Sequence, residues 1–290
     1  MNKGYVLITA AHNEEELIEL CLRGVTAQTL LPMKWVIVSD CSTDRTEEIV
    51  RSHAEQHSFI ELVCLTQQHA RNFAAQVDAI NAGYARVRNL AFAFISNLDA
   101  DITIQPTYYE SLLKKFENDP RLGLGGGFIQ EDYGSGYEAR RMNRVGSVPH
   151  GVQFFRRECY EDIGGYIPLR YGGPDWVAEV LARQKGWGVR SFPELKAFHH
   201  RPTGTAESLL SYWFQQGRMD YSIGVLPSFE IAKCISRLGS NPVLFGAMAR
   251  LGAFALSYCS KFPRLMPPSF IEYLRREQRA RMRAALGLNL

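Results

Sequence analysis

Two carboxylates separated by a single residue are the strongest chemical signal in the chain. Asp99-Ala100-Asp101 follows the apolar run Ala91 to Ser96, which has the composition of a buried strand and needs no charge at its end. Such a pair can bind a hard divalent cation and still leave room for phosphate oxygens. The cation would stabilise the charge on a departing diphosphate. The alternative is a solvated turn, where Asp is common.

A second acidic residue, Asp40, ends the apolar run Val36 to Ser39. A carboxylate at the end of a strand can accept hydrogen bonds from a base N–H or from ribose hydroxyls, as in other nucleotide-binding sheets. Helix capping is the alternative role, and Asp44 is better placed for it.

The elements that must position these residues follow from hydrophobic periodicity. Short apolar runs alternate with segments of helical spacing, which predicts a mostly parallel sheet with helices on both faces. The ligand crevice of such a sheet lies beyond the carboxyl ends of its strands, where Glu14, Asp40 and Asp99 all fall. The predicted elements are strand Tyr5 to Ala11, helix Glu15 to Ala27, strand Trp35 to Ser39, strand Ile60 to Leu65 and helix Arg71 to Val87.

The second half is less regular, with a polar and loop-rich stretch at Gln130 to Pro149. The predicted elements there are strands Gly123 to Phe128, Gly151 to Arg156 and Val189 to Phe198, and helices Arg157 to Asp162 and Asp175 to Lys185.

Taken together, these motifs resemble the family 2 glycosyltransferases of the GT-A fold, over about the first two hundred residues. Ala10, His12, Ser39 and Cys41 depart from the family's usual Pro, Tyr, Asp and Gly. The matching segments are Ala10-Ala11-His12-Asn13-Glu14 within the opening Val6 to Glu16, Ser39 to Asp44, His69-Ala70-Arg71-Asn72 and Asn97 to Asp101.

The resemblance implies an α/β, Rossmann-like GT-A domain that moves a sugar from a nucleoside diphosphate to a hydroxyl with inversion, using Mn²⁺ or Mg²⁺. It places Ala10, His12 and Glu14 at the base and ribose, and makes Asp40 an acceptor for the base. Its remaining assignments are Arg71 beside the nucleotide, Asp99 at the ribose or the metal, Ala100 at the donor, and Asp101 as the principal metal ligand.

The acceptor side of the site follows from the same resemblance. Asp175 falls where the family places an acidic motif, which makes it the candidate base for the acceptor hydroxyl, although Pro174 replaces the usual acidic neighbour. His199 and His200 fall where many members place a metal-binding histidine. Adjacent strand residues point to opposite sides, so one of the two is expected to reach the metal, and we favour His200. Arg201 could pair with phosphate.

The charge distribution excludes some partners. Ile231 to Leu290 holds ten basic and two acidic residues, a net charge of +8, so the remaining chain carries −5 of the formal total of +3. That balance gives no reason to expect a nucleic acid partner, whereas the basic segment suits an anionic membrane surface. No cysteine pair has metal-binding spacing, and the N-terminus lacks the pattern of a signal peptide. We therefore expect a cytoplasmic protein.

The C-terminal part, residues 229–290, is expected to be a helical appendage to a transferase domain of residues 1–228. Pro242 to Cys259 is short for a membrane span, and an amphipathic or re-entrant helix is favoured. Phe270 to Leu286 is predicted to be a basic helix, either packed on the body or lying on a membrane. The enzyme would then sit at the cytoplasmic face of a membrane, near a saccharide or lipid-linked acceptor.

Two other functions are compatible with parts of the pattern. A nucleotidyltransferase also uses a metal and a nucleotide, but the chain lacks a glycine-rich, lysine-bearing phosphate loop. A noncatalytic glycan-binding or scaffold protein could retain the fold, although Asp99, Asp101 and Asp175 are intact. Gln215 to Met219 resembles the Gln-x-x-Arg-Trp element of processive synthases without its Trp, so single addition is favoured.

Overall fold

The computed structural model describes residues 4–66, 73–201, 209–237 and 244–287. The strands are β1 (Tyr5–Ala11), β2 (Lys34–Asp40), β3 (Ile60–Leu65), β4 (Phe94–Asn97), β5 (Ile102–Ile104), β6 (Leu122–Asp132), β7 (Tyr137–Ala139), β8 (Phe154–Arg156) and β9 (Gly188–His199). The helices are α1 (Ile18–Thr26), α2 (Thr46–Gln56), α3 (Phe73–Val87), α4 (Tyr108–Asn118), α5 (Arg157–Asp162), α6 (Pro174–Gln184), α7 (Leu209–Ser222), α8 (Pro227–Ile235), α9 (Phe245–Cys259) and α10 (Pro268–Ala285).

The strands form one mixed sheet in the order β3-β2-β1-β4-β8-β6-β9-β5, with β7 paired to β6. The first four strands in this order are parallel, as the alternating pattern predicts. From β8 onward the sheet is mixed, because β8 runs antiparallel to both β4 and β6 while β6 and β9 are parallel. Two neighbouring parallel strands need a long connection between them, usually a helix. Helices α1, α2 and α3 supply such connections between β1, β2, β3 and β4, which explains why this part of the sheet is parallel.

Both faces of the sheet are buried. Tyr5 and Leu7 of β1 point into a cluster with α1 and α4, while Val6 and Ile8 point into a second cluster with α3. Alternate residues of one strand therefore reach opposite hydrophobic layers. The buried indole N–H of Trp35 is satisfied by the hydroxyl of Thr9 at 3.0 Å. Helices on both faces agree with the fold class predicted from the sequence.

Three details of the predicted secondary structure need correction. The expected strand Gly151 to Arg156 begins as a 3-10 turn, His150–Val152, and only Phe154–Arg156 pairs as β8. The stretch expected to be loop contains the end of β6 and all of β7. The short strand β5 and the helix α4 were not predicted from the sequence. The three residues of β5 form too short a pattern to detect.

The chain separates into two compact units by its internal contacts. The first comprises residues 1–168 and 174–202, and holds the sheet with α1 to α6; the second comprises residues 169–173 and 203–290, and holds α7 to α10. The main division between these units falls at residue 202. A transferase domain of residues 1–228 stays a prediction.

The second unit is built around the close packing of α7 on α9. A Cβ at Gly217 would lie 2.0 Å from the Arg250 carbonyl oxygen, so the two helices approach backbone to backbone. Arg250 is buried and pairs with Asp220 and Glu230, and Lys233 bonds Asp220 at 2.9 Å. The last helix, α10, buries one face, Phe270, Leu274 and Gln278. Within the described ranges, no helix is both long and apolar enough to cross a membrane.

Candidate active site

The loops that follow β1 and β2 are braced against each other. Asn13 adopts a positive φ of 54°, and its side-chain oxygen accepts a hydrogen bond from the Thr43 N–H at 2.8 Å. The Glu14 N–H donates to the Thr46 hydroxyl at 2.8 Å, and the Arg45 N–H donates to the Glu15 carboxylate at 3.1 Å. These bonds hold the two turns together at the carboxyl edge of the sheet.

Asp44, and not Asp40, accepts backbone hydrogen bonds at the start of α2. Its carboxylate accepts hydrogen bonds from the N–H groups of Glu15 and Thr46, each at 3.0 Å. The backbone carbonyl of Asp40 contacts the His12 ring. The side-chain carboxylate of Asp40 has no hydrogen-bond partner among the described residues. Asp40 is therefore available to a ligand, beside the half-exposed Ala10 at the end of β1.

Asp99 is fixed by several neighbours just past β4. Its Oδ1 accepts from Gln76 at 3.2 Å and from Asn97 at 3.4 Å, and lies 3.5 Å from His150 Nδ1. Burial alone would raise the pKa of Asp99, but the hydrogen bonds and charge of His150 hold it below its usual value. The chemical consequence is a carboxylate that is ionised and already oriented.

The 3-10 turn that begins at His150 packs closely against the Asp99 carboxylate. The Asp99 N–H donates to the Gly151 carbonyl at 3.1 Å, and a Cβ at Gly151 would lie 2.5 Å from Asp99 Oδ2. Only glycine fits at such a distance without moving the carboxylate. Within the described part of the chain, the His150 Nε2 atom is buried without a hydrogen-bond partner.

Asp101 meets His199 across the end of the sheet. His199 Nε2 lies 3.3 Å from Asp101 Oδ2, and His199 Nδ1 lies 3.4 Å from Glu131 Oε1. Burial lowers the pKa of His199, but its hydrogen bonds to Asp101 and Glu131 outweigh burial and raise it to about 9. Glu131 thereby fixes the orientation of the His199 ring through Nδ1, as a hydrogen-bond partner commonly does for a metal-binding histidine.

The ring of His200, the histidine favoured from the sequence, makes no ion pair with the Asp101 carboxylate in the described part of the chain. Its Nε2 contacts the Thr103 hydroxyl at 2.9 Å, and its Nδ1 contacts the Tyr137 hydroxyl at 2.7 Å. Because neighbouring residues at the end of β9 point to opposite sides, His199 faces Asp101 and His200 faces away.

Arg201 pairs with a protein carboxylate, where the sequence predicted a phosphate. Its guanidinium makes two hydrogen bonds with Glu14, at 2.9 and 2.7 Å. Burial raises the pKa of Glu14, Arg201 opposes that rise, and the charges of Asp101 and Asp99 add to it. Glu14 therefore lies close enough to Asp99 and Asp101 for their charges to act on its carboxylate.

Asp175 lies in the first turn of α6 and is half-buried. Burial lowers the pKa of His150, but its hydrogen bond to Asp99 and the charges of Asp99 and Asp175 outweigh burial and raise it. Burial and the charge of Asp175 raise the pKa of Glu179, one turn later, to about 7. The structure thus brings the predicted base, Asp175, and the predicted donor-site residue, Asp99, close enough to His150 for both charges to act on its ring.

Sequence reasoning missed the residues that hold the predicted ones. Gln76, Glu131 and His150 touch Asp99 or His199, and each lies in a stretch whose pattern carried no motif. Isolated polar residues become visible only when the fold brings them together. Arg71, predicted to lie beside the nucleotide, falls outside the described residues.

The donor atoms suit a divalent cation. Two ligands at right angles on a cation with bonds of about 2.1–2.2 Å stand roughly 3 Å apart, close to the 3.3 Å between Asp101 and His199. In the described part of the chain, no three His, Cys, Asp or Glu side chains are grouped tightly enough to form a complete metal site. A phosphate or water would have to supply the remaining ligands.

Comparison with known proteins bears on the family of the whole chain. The sequence model of the family "Glycosyl transferase family 2" matches residues 6–171. A poly-beta-1,6-N-acetyl-D-glucosamine synthase from Staphylococcus aureus (strain COL) is 27% identical over 121 residues, which are 42% of this chain and 27% of that relative. The match thus spans about a quarter of the relative's length.

Two solved structures share the fold at low identity. A mannosyltransferase from Pyrobaculum calidifontis, in complex with GDP-Man and Mn²⁺, has a TM-score of 0.56 at 18% identity, covering 100% of this chain and 81% of its own. GalNAc-T7 with UDP, GalNAc and Mn²⁺ has a TM-score of 0.62 at 13% identity, covering 99% of this chain and 58% of its own. At these identities the likeness establishes the fold alone.

Proposed function

Since the chain belongs to glycosyl transferase family 2, we propose that it transfers a sugar from a nucleoside diphosphate donor to an acceptor hydroxyl with inversion. The observation that carries this proposal is the Asp101–His199 pair at the carboxyl edge of the sheet, beside the ionised and fixed Asp99. The complexes of the two structural neighbours with nucleotides and Mn²⁺ support it.

The nucleotide would occupy the braced loops after β1 and β2. Asp40 has a carboxylate free of hydrogen bonds to the described residues, which suits it to accept from a base N–H or a ribose hydroxyl. Ala10, His12 and Glu14 would line the same pocket, Glu14 being held by Arg201. Asp99 and Ala100 would lie at the ribose and diphosphate, and Arg71 remains a proposed contact of the nucleotide.

Asp101 and His199 would hold Mn²⁺ or Mg²⁺. When bound, the cation supplies Lewis-acid stabilisation of the negative charge on the leaving diphosphate. Glu131 would orient the imidazole, and the bonds to Asp99 would keep its carboxylate from turning away.

Asp175 would act as the general base. Its carboxylate takes the proton of the acceptor hydroxyl while the hydroxyl oxygen forms a bond to the anomeric carbon. The bond from that carbon to the diphosphate oxygen breaks on the opposite face, so the configuration inverts. The electron pair leaves with the nucleoside diphosphate.

The pathway proposed for this activity is the assembly of a cell-surface polysaccharide or glycolipid. The name of the Staphylococcus aureus relative supports it. A saccharide or lipid-linked acceptor would meet the enzyme at the cytoplasmic face of the membrane, with peripheral contact through the basic C-terminal segment.

Calorimetric binding of UDP, GDP and dTDP, with and without Mn²⁺, tests the donor site. We expect tight binding of one nucleotide only with Mn²⁺, and a loss of at least 100-fold in affinity in Asp101→Asn. The matched control is Asp119→Asn, at an exposed aspartate beyond α4. Folded wild-type protein that binds none of the three would favour a noncatalytic protein of the same fold.

A further inference from the structure

Helix α9 buries mainly small and polar residues, with Phe254 as the one large apolar exception among its described residues, and exposes its other large apolar side chains. Gly246, Ala247 and Ala253 are buried, together with the charged Arg250. By contrast, Phe245 and Met248 are each 66% exposed, and Leu256 is 62% exposed. A helix that only packs on a protein body shows the reverse distribution.

The exposed side chains share one face. At about 100° per residue, they fall within an arc of roughly 160° around the helix axis. None of them is charged, and the arc is broad enough to lie flat on another apolar medium. Its members are Phe245, Met248, Leu251, Gly252, Ala255, Leu256, Tyr258 and Cys259.

The buried face explains why the helix is oriented in this way. Backbone contact with α7 requires small residues, and a Cβ at Gly246 would lie 2.7 Å from the Trp213 ring. Arg250 is fixed by Asp220 and Glu230 inside the unit. Rotating the helix to bury its apolar face would break the close contact with α7 and separate Arg250 from its carboxylate partners. The packing of the unit therefore requires the apolar face to be exposed.

The same unit also exposes basic side chains. Lys261 lies two residues after the end of α9, and Arg279, Arg281 and Arg283 lie on α10. In the ranges that the structure describes, none of these four forms an ion pair or a side-chain hydrogen bond. Two more exposed apolar residues, Ile231 at 47% and Ile235 at 61%, lie one turn apart on α8.

We infer that the exposed face of α9 is an interfacial docking surface for an anionic lipid bilayer. The apolar arc enters the boundary between headgroups and acyl chains, and the unpaired basic residues attract the negative headgroups. At 15 residues, or about 22 Å, the helix is too short to span a hydrocarbon core of about 30 Å.

This inference rests on the proposed peripheral membrane contact and assigns it to a particular face. A second copy of the chain fits the surface less well, because an isologous contact would also bring two segments of net charge +8 together.

Vesicle co-sedimentation of the full chain tests the assignment. The vesicles contain phosphatidylcholine with 30% phosphatidylglycerol, or phosphatidylcholine alone, at about 0.1 M salt. The test variant is Met248→Glu/Leu256→Glu. The control is Leu31→Glu/Met33→Glu, which makes the same two exchanges at residues 45% and 43% exposed in the other unit. Circular dichroism and nucleotide binding without vesicles check that each variant is folded.

We expect the wild type to bind the anionic vesicles, the α9 variant to lose at least tenfold in partition coefficient, and the control to stay within twofold. An α9 variant that binds like the wild type would overturn the assignment while leaving peripheral membrane contact intact. A wild type that ignores both vesicles and forms a dimer abolished by the α9 variant would make the face a self-association surface. Nucleotide binding without lipid tests the donor site separately from either result.

Discussion

At the scale of single residues, the candidate site separates into groups that would touch ligands and groups that hold them. Asp40, Asp101 and Asp175 are the carboxylates proposed to touch ligands, whereas Gln76, His150 and Glu131 contact and orient Asp99 or His199. Preorganisation of this kind lets the charges face a reacting group without rearrangement.

Asp175→Asn tests the proposed base. Asparagine keeps the size and shape of aspartate but cannot take a proton, so the fold and the donor site should survive. We expect the transfer rate to fall by about 10²–10⁴-fold, while nucleotide affinity measured by calorimetry stays within about threefold. A variant that retains the wild-type rate would remove Asp175 from the reaction.

Glu179 gives the stability of the protein a specific pH dependence. Burial and the charge of Asp175 raise its pKa from 4.5 to about 7, so the folded protein holds this proton more tightly than the unfolded chain. The stabilisation is complete below about pH 4.5 and is lost as the pH rises towards 7.

Glu179→Gln should therefore remove this loss. The amide oxygen can still accept from the Ser147 hydroxyl and the Val148 N–H. We expect the variant to gain about 1–3 kcal/mol over the wild type at pH 8 relative to pH 4.5, measured by urea unfolding. Glu158→Gln, at an exposed position on α5, is the control and should show no such difference.

At the scale of elements, Gly217 sets how closely α7 approaches α9. The Gln215 to Met219 segment resembles a synthase motif, yet the glycine at its centre serves helix packing, with the Arg250 carbonyl 2.0 Å from a Cβ placed there. Gly217→Ala should destabilise the protein by about 1–3 kcal/mol through overpacking.

Gly252→Ala on the exposed side of α9 is the matched comparison. No atom lies within 4 Å of a Cβ at Gly252, so alanine should stabilise the helix by up to about 1 kcal/mol. Urea unfolding of both variants measures the difference, and equal effects would contradict the close-packing explanation.

The sequence predicts the elements better than the contacts between them. Strands β1 and β3 and helix α5 have the predicted bounds, because each is a distinct apolar run or helical segment between turn residues. The choice between His199 and His200 depended on the twist at the end of β9, which no local pattern reports. The pairing of Arg201 with Glu14 joins residues 187 apart in the chain, beyond the reach of any motif.

At the scale of the whole molecule, the second unit includes residues 169–173, which come from the middle of the chain. Tyr171 packs edge-on against Phe262 at 5.9 Å, and a Cβ at Gly173 would lie 2.8 Å from the Met219 sulfur. A cut at residue 202 therefore leaves this short segment without its partners.

A fragment of residues 1–202 should thus be cleaved by chymotrypsin near Leu169 and Tyr171 at least ten times faster than the full chain. Leu169 is buried in the intact protein, which protects it. Equal cleavage rates and equal melting temperatures would mean that residues 1–202 fold without the helical unit.

The braces between the loops after β1 and β2 also determine what hydrogen exchange would detect. The amides of Glu14, Glu15, Thr43, Arg45 and Thr46 already donate to side chains in the free protein. Their exchange with deuterated solvent should be slow before any nucleotide arrives, and binding should slow it little further. The exchange rates at the proposed nucleotide pocket would then change little on binding, because the hydrogen bonds of its loops are already formed.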